Sequence, residues 1–160
     1  MESITQKPDY LYRSGVGIMV INKNKEIFVA KRIGNHSNAW QMPQGGIDVG
    51  EKEDDAMKRE LKEETSIDNI RTIGISKKYL YYNLPYNLQK RFWGGKYLGQ
   101  RQKWYLVEFL GKDEDINIDT KDPEFSEWKW VKNQELIKSV VNFKKEIYLD
   151  IINEFKEHLD

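Results

Sequence analysis

Apolar positions cluster along the chain in short blocks separated by polar turns. Residues 15–21 (GVGIMVI) form an unbroken β-branched and apolar run, the pattern of a buried strand. Asn22, Lys23, Asn24 and Lys25 supply turn chemistry, and residues 26–31 (EIFVAK) return as the second strand of a hairpin. A short apolar stretch at 40–42 precedes Pro43. Residues 44–50 hold Gly45, Gly46 and Gly50 and predict a loop. From 53 to 65 the spacing turns helical, with Ala56, Met57 and Leu61 as an apolar stripe among charges. Residues 70–82 predict one or two strands. The stretch 84–102 mixes Pro85 and three glycines with Lys90, Arg91, Lys96 and Arg101, the composition of a long basic loop. Strands are predicted at 104–110 and 127–131, with Trp128 and Trp130 on one face by the period of two, and Trp104, Trp128 and Trp130 in the core. Residues 143–159 complete the chain as an amphipathic helix with Ile147, Ile151, Ile152 and Phe155 inward. Strands with a few helices around them give an α/β sandwich.

Composition narrows this. The 160 residues fit one domain, with its core from about 10 to 155. Twenty-six basic residues offset twenty-six acidic ones, so any polyanion site must come from local clustering. The absence of cysteine removes disulfide partners, thiolate zinc sites and a cysteine nucleophile, and two histidines are too few for a multi-histidine metal centre. His36 reads as a loop residue. Residues 1–9 carry no apolar leader segment and no run approaches a membrane span, so the expectation is a soluble, cytoplasmic monomer without a membrane partner.

The informative segment is 45–67. Glu60, Glu63 and Glu64 stand at i, i+3 and i+4, which places them on one helix face. Like charges at that spacing repel, and either a solvated face or a divalent cation relieves them. Oxygen ligands without histidine or cysteine favour Mg²⁺, or Mn²⁺, over zinc. Arg59 lies eight residues after Glu51 and can tie the glycine loop to the helix as a bidentate pair.

Gly45, Glu51, Arg59-Glu60-Leu61, Glu63-Glu64 and Ser66-Ile67, at these spacings, resemble the Nudix box, with Ser66 where the family has glycine. The resemblance implies an α/β/α sandwich with a mixed sheet and a loop–helix motif. It implies metal ligation by Glu60, Glu63 and Glu64, aided by a carbonyl near Gln44 or Gly45, and a structural role for Gly45, Glu51 and Arg59. It extends over Tyr12-Arg13, 40–48, 99–104, Pro123-Glu124-Phe125, Trp128-Lys129-Trp130 and Phe143-Lys144, which look like the subgroup acting on RNA 5′ ends and dinucleoside polyphosphates. The spacing of Asn38-Ala39 before Trp40 looks closer to the plant-type members. By that resemblance Arg13, Arg32, Lys103 and Lys144 contact phosphates, Tyr82 and Phe143 stack on bases, and Glu63, Glu64 and Glu124 are the catalytic carboxylates. Each has a plainer alternative: surface charge for the two arginines, sheet packing for Tyr82, a helix staple for Phe143, solvated loop charge for Glu124.

Three functions stay open. One is removal of pyrophosphate from 5′-triphosphate RNA, a step of mRNA decay. The second is hydrolysis of a dinucleoside polyphosphate such as diadenosine tetra- or pentaphosphate. The third is an inactive nucleotide- or RNA-binding module. Aromatic and basic residues interleave at 90–101, which suits a single-stranded nucleic acid or a solvated loop.

Overall fold

A computed structural model describes residues 8–34 and 39–159; His36 and Asn38 lie outside them. Seven strands make one mixed sheet: β1 (Tyr12–Ile21), β2 (Ile27–Arg32), β3 (Gln44–Gly46), β4 (Ile70–Ile75), β5 (Leu80–Asn83), β6 (Gly99–Phe109) and β7 (Phe125–Val131). The order is β4-β6-β1-β2-β7, with β3 paired to β1 and β5 to β6. β1 and β6 run parallel from Tyr12↔Gly99 to Ile21↔Glu108; the other pairings are antiparallel.

Helix α1 (Glu53–Thr65) covers one face of the sheet and α4 (Lys145–Glu154) the other; α2 (Tyr86–Gln89) and α3 (Asn133–Leu136) are single turns. The period of two sorts β1 between two cores. Val16, Ile18 and Val20 pack with Ala56, Met57 and Leu61 of α1, while Met19 and Ile21 pack with Trp104 and with Ile147, Tyr148 and Ile151 of α4. Trp104 fits only because its register partner is Gly17, where a Cβ would lie 2.2 Å from the indole. Trp128 and Trp130 share a face, ring centroids 6.0 Å apart, and pack partly buried against the α1-side core.

Helix α1 has the predicted bounds. Glu53, Asp54 and Asp55 in its first turn complement the positive end of the helix dipole. Tyr79 donates to Glu53 and Tyr105 to Asp54, which anchors that turn to the sheet side. The helix stops at Ser66, left-handed at φ 66°. Ser66 Oγ donates to the Asn117 carbonyl at 2.9 Å, and the Asn117 N–H donates to the Thr65 carbonyl, so the helix end is stitched to the loop before β7.

Three expectations are corrected. Residues 44–46 are not loop but β3, because Gly45 and Gly46 permit close pairing with Gly15–Gly17 of β1. The long basic loop ends at Leu98: β6 begins at Gly99, five residues before Trp104, and its polar start conceals the strand. The last helix is shorter than 143–159, with 3₁₀ turns at Asn142–Lys144 and Lys156–His158 flanking α4.

Candidate active site

The loop–helix segment is organised by one side chain. Arg59 donates from Nε and Nη2 to the two oxygens of Glu51, at 2.8 and 2.9 Å, which is the bidentate tie expected from their spacing. Its Nη2 also reaches the Gly46 carbonyl at 3.0 Å, and Nη1 reaches Glu60 at 2.9 Å and Glu63 at 3.3 Å. The hydrogen bonds from Arg59 hold the Glu51 carboxyl down to about 2. Repulsion between Glu60 and Glu63 is thus relieved by an internal guanidinium, a third route beside solvent and metal.

Glu64 has no such relief. It is 7% exposed, and its Oε1 is buried without a hydrogen-bond partner. Burial first, then the charges of Glu60 and Glu124, push its carboxyl well above the ordinary range, opposed by Arg32 and Lys144. Glu60 is raised too, mainly by burial. Close approach at the glycines shapes this region. A Cβ on Gly45 would sit 2.0 Å from the Glu60 carboxyl carbon, and one on Gly46 would sit 2.2 Å from the Arg13 guanidinium.

These groups meet around a cavity of about 270 Å³ lined by Arg13, Arg32, Gly45, Glu60, Glu64 and Glu124. Arg32 and Glu124 face each other at 3.4 Å. A shift in pairing register at Lys31/Arg32, where β2 meets β7, lies immediately before Arg32. An adjoining cavity of about 240 Å³ is lined by Tyr82, Leu88, Phe143 and Lys144, and shares Arg32, Gln41, Gln44, Phe92, Trp93 and Gln100 with the first. Tyr82 and Phe143 lie 5.8 Å apart and tilted by 33°, packed on each other. Tyr82 is almost wholly buried, which raises its phenol to about 12. Lys144 is equally enclosed, and burial lowers its ammonium to about 8, helped by Arg32 and opposed by Glu64. Its Nζ donates to Gln44 Oε1 at 3.2 Å, while Gln44 Nε2 donates to the Tyr82 oxygen at 3.4 Å.

The structure therefore brings together Arg13, Arg32, Glu60, Glu64 and Glu124, with Tyr82, Phe143 and Lys144 next door. Glu63 lies on the outer side, lining a third cavity with Glu60, Glu64 and Glu124. Lys103 is not brought in. It shares the α1 face of β6 with Tyr105, and its Nζ sits 5.0 Å from the Tyr79 ring. The side chains of Gln41, Gln44 and Gln100 as walls were not foreseen, although the stretches 40–48 and 99–104 that hold them carry the resemblance; Gln100 is buried in β6, while Gln41 and Gln44 are half-buried.

Among the described residues, no three carboxylates or imidazoles converge as a ready metal cage. The orphaned, charge-crowded Glu64 oxygen nevertheless fits a cation, since a buried carboxylate without partners is costly and a divalent ion would supply one.

The NUDIX domain family matches residues 11–151. An RNA pyrophosphohydrolase of Pelagibacter ubique is 51% identical over 148 residues, covering 92% of this chain and 94% of the relative. The Escherichia coli dihydroneopterin triphosphate pyrophosphohydrolase superposes with a TM-score of 0.71 at 16% identity, covering 90% of this chain and 99% of that one. A Caenorhabditis elegans Ap4A hydrolase superposes at 0.63 and 21% identity, covering 89% and 98%. The chain belongs to the Nudix hydrolase family, whose members generally depend on a divalent metal.

Proposed function

We propose that this protein removes pyrophosphate from the 5′-triphosphate end of RNA and leaves a 5′-monophosphate, using Mg²⁺ or Mn²⁺. The observation that carries the reading is the junction of two cavities, one walled by carboxylates and arginines, the other by aromatic rings. A polyphosphate fits the first while a base of the same strand rests in the second. The name carried by the Pelagibacter ubique relative supports the choice of RNA.

Glu60, Glu63 and Glu64 would hold the metal, with Gly45 leaving room for the Glu60 carboxylate. Held there, an ion would supply charge withdrawal from phosphate oxygens and a more acidic water. Arg13 and Arg32 hold the phosphates in line for attack. One of Glu63, Glu64 and Glu124 takes the proton of the attacking water. The water oxygen bonds to phosphorus, the phosphorus–bridging-oxygen bond breaks, and pyrophosphate leaves with the electron pair. No protein nucleophile is needed. Lys144 meets phosphate beside Phe143, whose ring takes a base on its free side. A base between Phe143 and Tyr82 requires that touching pair to open.

The test offers purified protein equal concentrations of 5′-triphosphate RNA and diadenosine tetraphosphate, with Mg²⁺, with Mn²⁺ and with chelator. Higher kcat/KM on RNA, abolished by chelation, is the expected result. Preference for the dinucleotide would establish the alternative substrate, and undiminished turnover in chelator would overturn the metal assignment.

A further inference from the structure

Charge along this neutral chain is segregated. Residues 69–107 contain no aspartate or glutamate and eight lysines and arginines. Part of that stretch forms the segment between β5 and β6, whose inner side supplies Leu88, Phe92 and Trp93 to the aromatic cavity. Its outer side is different. Tyr86 is 71% exposed, with the Lys90 ammonium 4.9 Å from its ring. Lys96 stands 5.3 Å from the Tyr97 ring, and Phe92, Trp93 and Tyr97 follow one another at 5.7 and 6.0 Å. Lys90, Arg91 and Lys96 are exposed, and among the described residues none forms an ion pair. Trp93 adopts φ 51°, followed by Gly94 and Gly95 at 67° and 75°, so a tryptophan is held in a conformation that favours glycine at the point where the inner and outer sides meet.

Resting on the RNA reading above, we propose that the outer face of residues 86–97 is a track for substrate nucleotides downstream of the one seated beside Phe143. Free cations beside an exposed ring, Tyr86, and a half-buried one, Tyr97, continuous with the base cavity, match what a single strand offers: phosphates at every step and a π-face on every base. Such a track reads no sequence, because neither stacking nor phosphate contact distinguishes bases.

The test compares 5′-triphosphate RNAs of two and eight unpaired nucleotides on wild type and on the Tyr86→Ala/Lys90→Ala/Lys96→Ala variant. Wild type should show kcat/KM higher by about fivefold or more on the octamer, the weaker end of what one stacked base gives. The variant should lose that advantage and keep wild-type turnover of the dinucleotide. Its log–log salt dependence on the octamer should be shallower by about 1.4, for two cations at ~0.7 each. Equal kcat/KM for both lengths, or a length advantage retained by the variant, as for a surface that serves another protein, would overturn the track alone. No turnover of either RNA would overturn the substrate reading with it.

Discussion

Glu63 and Glu64 are neighbours in sequence, each in helical step with Glu60, and their situations are opposite. Glu63 is exposed and reaches a guanidinium that also serves Glu51 and Glu60. Glu64 is buried, lacks a partner for Oε1 and faces two further carboxylates. Spacing tells which side chains share a face; it does not tell which of them are compensated. In this helix the uncompensated group is the one turned into the cavity, as expected where stability is given up for a ligand.

The sharpest way to break the comparison is Glu64→Gln. This change keeps the shape and removes the charge, so kcat in saturating Mg²⁺ should fall on the order of 10²-fold or more, as on loss of one major electrostatic group. A steady-state rate within a few-fold of wild type would show that the stranded charge is not used. Next is Arg59→Met, which turns the compensated half into an uncompensated one. Thermal or urea unfolding of the metal-free variant should show a loss of about 2–3 kcal/mol, since a charge-assisted network goes at once. Arg59→Lys should recover little, because the fork that grips both Glu51 oxygens is absent.

A smaller effect concerns proton linkage at Glu64. Its folded-state affinity for protons is raised, so the contribution of Glu64 to stability is fully present below the ordinary carboxyl value of 4.5 and is lost as pH climbs from there toward the raised one. Metal-free Glu64→Gln should therefore unfold at higher temperature than wild type at pH 7, by a margin worth about 1 kcal/mol, and the margin should close near pH 4. A margin independent of pH would mean that packing, not charge, separates the two proteins. Smallest is Ser66→Gly at the end of the same helix. Glycine relieves the left-handed backbone but loses the bond to Asn117, two effects of about 1 kcal/mol and opposite sign. The melting temperature should move little, while amide exchange at Asn117 and its neighbours should quicken; unchanged exchange would dissociate Ser66 from that loop.

How much of this was legible in the sequence depends on what kind of signal each part leaves. Helix α1 was readable to its ends because stripe, acidic first turn and carboxylate spacing agree. The Arg59–Glu51 tie was readable because only arginine forks across that distance. The start of β6 was not, since Gly99, Gln100, Arg101, Gln102 and Lys103 carry no apolar alternation. They pair in the sheet all the same, with Gln100 and Gln102 buried. β3 hid for the opposite reason: its glycines look like punctuation, yet they are what lets Glu60 and Arg13 approach the backbone. Lys103 entered by the resemblance alone; a one-residue step along a strand reverses the face, no pattern in that polar run sets the parity, and the side chain lies beside Tyr79 rather than on the two cavities.

The parallel pairing of β1 with β6 also bears on how the molecule assembles. Ser14 and Arg101 are register partners 87 residues apart, so the centre of the sheet cannot close until β6 has been made. The β1–β2 hairpin and α1 can form early from local contacts, whereas Arg13 gains its neighbour Gln100 only after that long loop closes. On a ribosome the carboxylate helix would emerge well before the strand that completes its cavity. Folding intermediates of this protein should therefore carry the metal-facing helix without a working site, and the hydrolase becomes an active species only after β6 has been made and docked.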